Sequence, residues 1–146
     1  MKIKGTWSPK EVDNYLVNTV LPARISVVSP NNWPVIVSLW FLFEDGVLYC
    51  ATKKTSRIAE CLSHSNRCAF EIARDNAPYF GVRGQGKATL ISENGDYILS
   101  RLADRYLGKE DSEFRSWLMS NSENEITIQI DPINFYSWDY RKRMSA

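Results

Sequence analysis

Residues 33–62, WPVIVSLWFLFEDGVLYCATKKTSRIAECL, decide how the rest of the chain is read. Trp33 to Phe43 reads as the longest strand, with Val35, Val37, Leu39, Phe41 and Phe43 on one side and Ile36, Ser38, Trp40 and Leu42 on the other. Both sides are mostly apolar. An antiparallel strand with one wet face alternates, so something is expected to cover the second face too. A barrel interior on one side, and a ring system or a partner subunit on the other, would do so. Glu44-Asp45-Gly46 is hairpin-turn chemistry leading into a strand over Val47 to Thr52. Lys53-Lys54-Thr55-Ser56 then turns the chain, with Thr55 or Ser56 capping a helix over Ile58 to Leu62.

That turn carries the parts of an anion site. A phosphate needs several donors converging on a small volume. A helix N-terminus supplies unpaired N–H groups, hydroxyls add more, and Lys or Arg balance the charge. Thr52, Lys53, Lys54, Thr55, Ser56 and Arg57 bring all of these together. A solvated hairpin exit whose hydroxyl merely caps the helix uses the same residues, and on this stretch alone it is the simpler account. The Gly-x-x-x-x-Gly-Lys pattern of a P-loop is absent.

Upstream, Ser8-Pro9-Lys10-Glu11 predicts a capped helix start with a capping box, and Val12, Tyr15, Leu16, Thr19 and Val20 share its apolar face. Leu21-Pro22 ends it. Strands are expected over Arg24 to Ser29, Arg67 to Ala73 and Tyr79 to Ile91. Gly81, Gly84 and Gly86 mark bulges or close backbone approach in the last of these. Gly84-Gln85-Gly86 reads as a bulge from which Gln85 could reach a polar ring edge. Asn94-Gly95-Asp96 starts a helix through Leu107, with Ile98, Leu99, Leu102 and Tyr106 as its stripe and Gly108 as its stop. Ser112 to Met119 predicts a short helix with Phe114, Trp117 and Leu118 inward. Ile126, Ile128 and Ile130 alternate as a half-buried strand, Pro132 breaks it, and Asn134 to Trp138 is a last short strand. The pattern is mainly β: an antiparallel barrel of about six strands with peripheral helices.

The 146 residues read as one domain: a helix within 1–21, barrel and helices over 22–140, and a tail at 141–146. A formal net charge of +1 gives no global field for nucleic acid or an anionic membrane. Trp138, Tyr140 and Arg141-Lys142-Arg143 read as a solvated tail rather than a nucleic-acid patch. No apolar run is long enough for a membrane helix, and MKIKGTWSPK lacks a signal-peptide core. Cys50, Cys61 and Cys68 have no C-x-x-C spacing, which suits buried thiols in a reducing cytoplasm. The lone His64 ends the helix after the basic turn, with no metal-ligand spacing around it and no triad to join. No catalytic acid, base or nucleophile is legible.

Several runs together resemble the pyridoxamine 5′-phosphate oxidase-like family: Ala23-Arg24-Ile25, Asn32-Trp33-Pro34 with Val37-Ser38-Leu39-Trp40-Phe41, and Gly46-Val47-Leu48-Tyr49 into Ala51-Thr52. Gly86-Lys87-Ala88 and Ile130-Asp131-Pro132 before Tyr136-Ser137-Trp138 agree. The likeness spans Pro22 to Tyr140. It implies a split β-barrel and a homodimer with FMN, or a deazaflavin in its place, at the subunit interface. The ring would lie against Val37, Ser38, Leu39 and Trp40. Thr52, Lys54, Ser56 and Arg57 would meet the phosphate, with Lys53 beside them, and Trp138 would approach from the partner. The implied activity is flavin-dependent oxidoreduction of a small molecule, with a non-catalytic flavin store or sensor as the other class. Two departures stand out. Ile58 occupies a position where many relatives carry lysine, and the ending WDYRKRMSA lacks the Arg-x-His element of the true oxidase.

Overall fold

The Trp33–Phe43 stretch forms two strands instead of one. In the computed structural model, which describes residues 1–110 and 112–145, β3 (Pro34–Leu39) ends before Trp40 and β4 (Leu42–Glu44) begins after Phe41. The two pair with different partners: β3 with β2 (Ala23–Val28), and β4 with β5 (Val47–Lys53). The main sheet path is β3-β2-β6-β7-β8-β5-β4, where β6 is Arg67–Ala73, β7 Phe80–Ile91 and β8 Glu125–Asp139. So β3 and β4 sit at opposite ends of the path yet are joined by only Trp40 and Phe41. Such a link is possible only if the sheet curls until its ends meet, which is the expected antiparallel barrel.

Phe41 fills the closure. It is fully buried, and its backbone N–H donates to the Tyr106 hydroxyl at 3.2 Å, which in turn donates to the Leu21 carbonyl at 2.8 Å. Ile25, Leu48, Ile72, Val82, Ile128 and Ile130 are among the side chains filling the barrel. The sheet has eight strands where about six were expected, because the long strand divides and a further strand, β1 (Lys2–Gly5), pairs in parallel with β8.

Pro132 does not break β8, which runs unbroken through it. A register shift between Gln85 and Gly86 sets Gln85 opposite Asn134 and Gly86 opposite Pro132, leaving Ile133 as the extra residue of a bulge. Proline removes a donor from a ladder, and a bulge is where that loss is tolerated.

The helices cover the barrel's ends. Helix α1 (Pro9–Asn18) has the predicted capping box and buries Val12 and Leu16, although Val20 lies past its end and is exposed. Helix α2 (Arg57–His64) sends Ile58, Cys61 and Leu62 into the core. Helix α3 (Gly95–Leu107) buries Ile98, Leu99 and Leu102 as its stripe predicts. Helix α4 (Glu113–Met119) departs from expectation: Phe114 and Trp117 stack on each other at 5.9 Å but are exposed, and of the three residues expected inward Leu118 alone is half-buried. No helix among the described residues is long and apolar enough to cross a membrane.

The C-terminal basic run is docked at its first residue. Arg141, which opens the short α5 (Arg141–Met144), pairs with Asp139 and lies 4.4 Å from the Phe80 ring centre. Asp139 also accepts the Trp7 indole N–H at 3.1 Å, tying both ends of the chain together. Of the expected solvated tail, Ala146 lies outside the described residues.

Two stability predictions follow from this packing. A Cβ at Gly95 would lie 2.1 Å from the Glu125 carbonyl oxygen, so Gly95→Ala should cost about 1–3 kcal/mol in denaturant unfolding. Arg141, by side chain and backbone N–H, and the Trp7 indole hold the Asp139 carboxyl well below the usual carboxylate range against the opposing effect of burial. A depressed pKa stabilises the fold above the unfolded value and is lost as pH falls through the folded one. The stability gap between wild type and Asp139→Ala should therefore stay constant from about pH 8 to about pH 5, then shrink as pH drops below the ordinary value of about 4.

Candidate functional site

The turn between β5 and α2 is a corner of converging donors. Ser56 is the N-cap of α2, its Oγ accepting the Ala59 N–H at 3.1 Å, and the buried Thr52 hydroxyl donates to the same Oγ at 2.8 Å. The Lys54 N–H is pinned to the Asn124 carbonyl at 2.9 Å. Among the described residues, the N–H groups of Arg57 and Ile58, which open the helix, meet no acceptor, as the first turn of a helix dictates.

The three cations of the corner are not equivalent. Lys53 reaches Glu125, a buried carboxylate, at 3.3 Å and the Asn121 carbonyl at 3.1 Å. Arg57 pairs with Glu60 one turn along the helix. Lys54 is exposed, with no carboxylate partner among the described residues.

The remaining candidates fall elsewhere. Val37 and Leu39 are half-buried and pack on the barrel core, whereas Ser38 faces outward in register with Arg24. Trp40, at the link between β3 and β4, stacks on Tyr106 with ring centres 5.0 Å apart and planes 10° apart. Trp138 is half-buried on the outer sheet face, 5.4 Å from the Arg83 guanidinium. Thus Thr52, Lys53, Lys54, Ser56 and Arg57 share one corner. Ser38 and Trp138 lie on the outer face, and Trp40 lies against α3.

That outer face holds a groove of about 770 Å³. Strand register arranges its residues in two rows. One row runs Ser38, Arg24, Glu71, Arg83, Tyr136 and Lys4 from β3 to β1; the other runs Ile36, Ser26, Ala69, Gln85, Asn134 and Lys2. Of the lining residues, sequence reading had picked out only Gln85 as a ligand contact; Ser38 ends the first row beside the groove. The alternation Arg67-Ala69-Glu71 and Arg83-Gln85-Lys87 was a visible signal, but period-2 polarity also describes any plain wet face.

Two of the three buried thiols are chemically quiet. Burial pushes Cys50 up to about 12 and Cys68 up to about 11, so neither forms a thiolate at neutral pH. Among the described residues no three His, Cys, Asp or Glu side chains converge as a metal site.

No protein-family profile matches the chain, and no curated protein does. Solved structures do match over most of its length. A conserved hypothetical protein from Mycobacterium tuberculosis superposes with a TM-score of 0.81 at 20% identity, covering 98% of this chain and 91% of that one. A protein named as an F420 reductase gives 0.68 at 18% identity over 84% of this chain and 94% of its own. A candidate pyridoxamine 5′-phosphate oxidase from Listeria innocua gives 0.68 at 15% identity, over 89% and 98%. The fold is that of the pyridoxamine 5′-phosphate oxidase-like split barrel. At these identities the likeness is one of fold. Within the split barrel, the corner at Ser56 and the outer groove each concentrate polar side chains.

Ser56 supports the corner from within. Ser56→Ala removes the cap and leaves the buried Thr52 hydroxyl without its acceptor, so thermal or denaturant unfolding should register a loss of about 1 kcal/mol or more.

Proposed function

We propose that this split barrel binds FMN and acts as a small flavin-dependent oxidoreductase, working as a homodimer with the cofactor at the subunit interface. The observation that carries the reading is the β5–α2 corner. Among the described residues the N–H groups of Arg57 and Ile58 meet no acceptor and Lys54 meets no carboxylate, and with the Thr52–Ser56 hydroxyl pair they lie at the helix start, where the dipole favours an anion. These groups fit a phosphomonoester. Arg57 supplies further charge by exchanging Glu60 for the phosphate, and Lys54 compensates for the lysine that Ile58 replaces. Bound FMN would supply the redox centre, while the chain's own residues hold and orient it.

A partner is supported by β3 itself. Ile36 is 71% exposed on a strand with a neighbour on one side only, and Trp33, just before that strand, is 70% exposed, a surface suited to a ring or a second subunit. A deazaflavin is the second reading, favoured by the structural neighbour named as an F420 reductase. Both cofactors put an anionic tail on a flat tricyclic ring, so the corner serves either. The substrate is a small molecule, and the quiet thiols suit a reducing cytoplasm.

The test is the absorption spectrum of purified protein, followed by mass spectrometry of what heat releases. Flavin that a nicotinamide donor bleaches under anaerobic conditions supports the enzyme; flavin that stays oxidised with every common donor points to a store or sensor. Protein that takes up neither FMN nor deazaflavin overturns the reading. Replacing Lys54 and Arg57 together with Ala should weaken FMN retention at least about tenfold with an unchanged far-UV circular dichroism spectrum. Light scattering should give a dimer at micromolar concentration.

A further inference from the structure

We infer that the small cavity where α1 meets the end of the β7–β8 ladder binds a neutral ligand of one flat ring bearing a primary carboxamide. Trp7, Tyr15 and Phe80 enclose the ring, and Glu11, Asn14 and Arg141 meet the amide. The cavity shares no residue with the corner at Ser56 or with the outer groove, so it stands apart from the flavin reading.

Three aromatic rings make the walls. The Trp7 and Tyr15 ring centres lie 4.9 Å apart with their planes tilted by 50°, and Phe80 makes a T-shaped pair with each, at 6.0 and 6.1 Å. A space of about 220 Å³ remains beside them. Sites for drug-sized ligands begin at roughly 300 Å³, so this one suits a single ring. Water gains little from aromatic walls, whereas another ring can stack on them or meet them edge-on.

Each wall is pinned from outside the cavity. The Trp7 backbone N–H donates to the buried Ser137 hydroxyl at 2.9 Å, and its indole N–H donates to Asp139 at 3.1 Å. The Tyr15 hydroxyl donates to the Ile72 carbonyl at 3.1 Å. Phe80 is held in the ladder opposite Asp139. Glu11, Asn14 and Tyr15 follow one another at three- and four-residue spacing from Glu11 and so share one side of α1. Walls already fixed lose little entropy when a ligand enters.

The polar rim sets the chemistry. Its charges are one carboxylate, Glu11, and one guanidinium, Arg141, a balance that favours a neutral ligand over an ion. Glu11 Oε1 accepts the Ser8 N–H at 3.1 Å, and Oε2 has no donor among the described residues. Asn14 Oδ1 accepts from Asn18 at 3.0 Å, and among the described residues its Nδ2 has no acceptor. Arg141 lies against Phe80 and donates from Nε and Nη2 to Asp139, while Nη1 bonds to nothing among the described residues. The rim thus offers one acceptor and two donors. A primary carboxamide answers both, giving an N–H to Glu11 and its carbonyl to Asn14 or Arg141. A carboxylate has no N–H to give and would meet the Glu11 charge.

The experiment titrates the full-length chain with benzamide and nicotinamide, following the Trp7 indole N–H and the backbone N–H signals of Trp7 to Tyr15 by NMR. Acetamide lacks the ring, N,N-dimethylbenzamide lacks the N–H groups, and benzoate replaces the amide with an acid. Both ring amides should bind with a Kd of about 1 mM, and each control at least about tenfold more weakly. Glu11→Gln keeps a residue that can close the capping box but turns the free acceptor into a donor, so it should weaken benzamide about tenfold. Tyr15→Leu, folded by circular dichroism, removes one wall and should weaken it about fivefold. The Lys54→Ala, Arg57→Ala double variant should keep benzamide affinity whatever becomes of its flavin, which separates this cavity from the corner. The inference is overturned if any control binds as well as benzamide or if Glu11→Gln changes nothing. It is also overturned if about 20 mM benzamide shifts none of these signals in the wild type.

Discussion

The pairing of β7 with β8 is the constraint on which the rest of the structure depends. It runs from Phe80 opposite Asp139 to Ile91 opposite Thr127, and β6 pairs with the other edge of β7. The free edge of β8 is shared: β5 pairs with Glu125 to Ile130, and β1 with Asn134 to Ser137. The bulge at Pro132 and Ile133 falls in the gap where β8 passes from one partner to the other. A residue without an N–H costs least where no neighbour is waiting for that N–H. Pro132 is thus tolerated because the strand changes partners there.

That change of partners organises the two faces differently. Along its first half, β8 turns Ile126, Ile128 and Ile130 inward and takes β5 beside it, closing the barrel through β4 and the buried Phe41. Along its second half it takes β1, whose Lys2 and Lys4 fall in register with Asn134 and Tyr136. One strand therefore builds both the closed core and the open basic groove.

Sequence reading succeeded where the information was local. The capping box at Ser8, a hydroxyl cap at Thr55 or Ser56 and the stripe of α3 depend on residues within a few positions of one another; the box and the stripe appear as expected, and Ser56 is the hydroxyl that caps. It missed where the answer depended on a distant partner. Nothing within Trp33 to Phe43 reveals that its two halves pair with different strands, because apolar character persists through the break. Phe114 and Trp117 looked core-facing by spacing alone, but on α4 both are exposed. The groove was missed for a related reason. Its floor includes Ser26 and Ala69, which register sets side by side from two strands, and no short window along the chain contains both.

The same non-locality governs the electrostatics. In the sequence, Lys53-Lys54 and Arg57 form the denser basic cluster, whereas Lys2, Lys4, Arg24 and Arg83 are scattered. Folding reverses that impression. Lys53 is drawn to the buried Glu125 and Arg57 to Glu60, so much of the corner's charge is spent within the protein and its pull on an anion depends on Lys54 and the helix N–H groups. An Arg–Glu pair as exposed as Arg57 and Glu60 contributes little to stability and is readily exchanged for a better anion. The Lys53 pair is different, because releasing it would strand a buried carboxylate. Lys53 is therefore fixed as a structural cation, and Arg57 is the movable one. The scattered cations, by contrast, are gathered by strand register, and among the described residues three of the four have no carboxylate of their own. Where a protein exerts its charge is thus decided by which ions the fold has already paired.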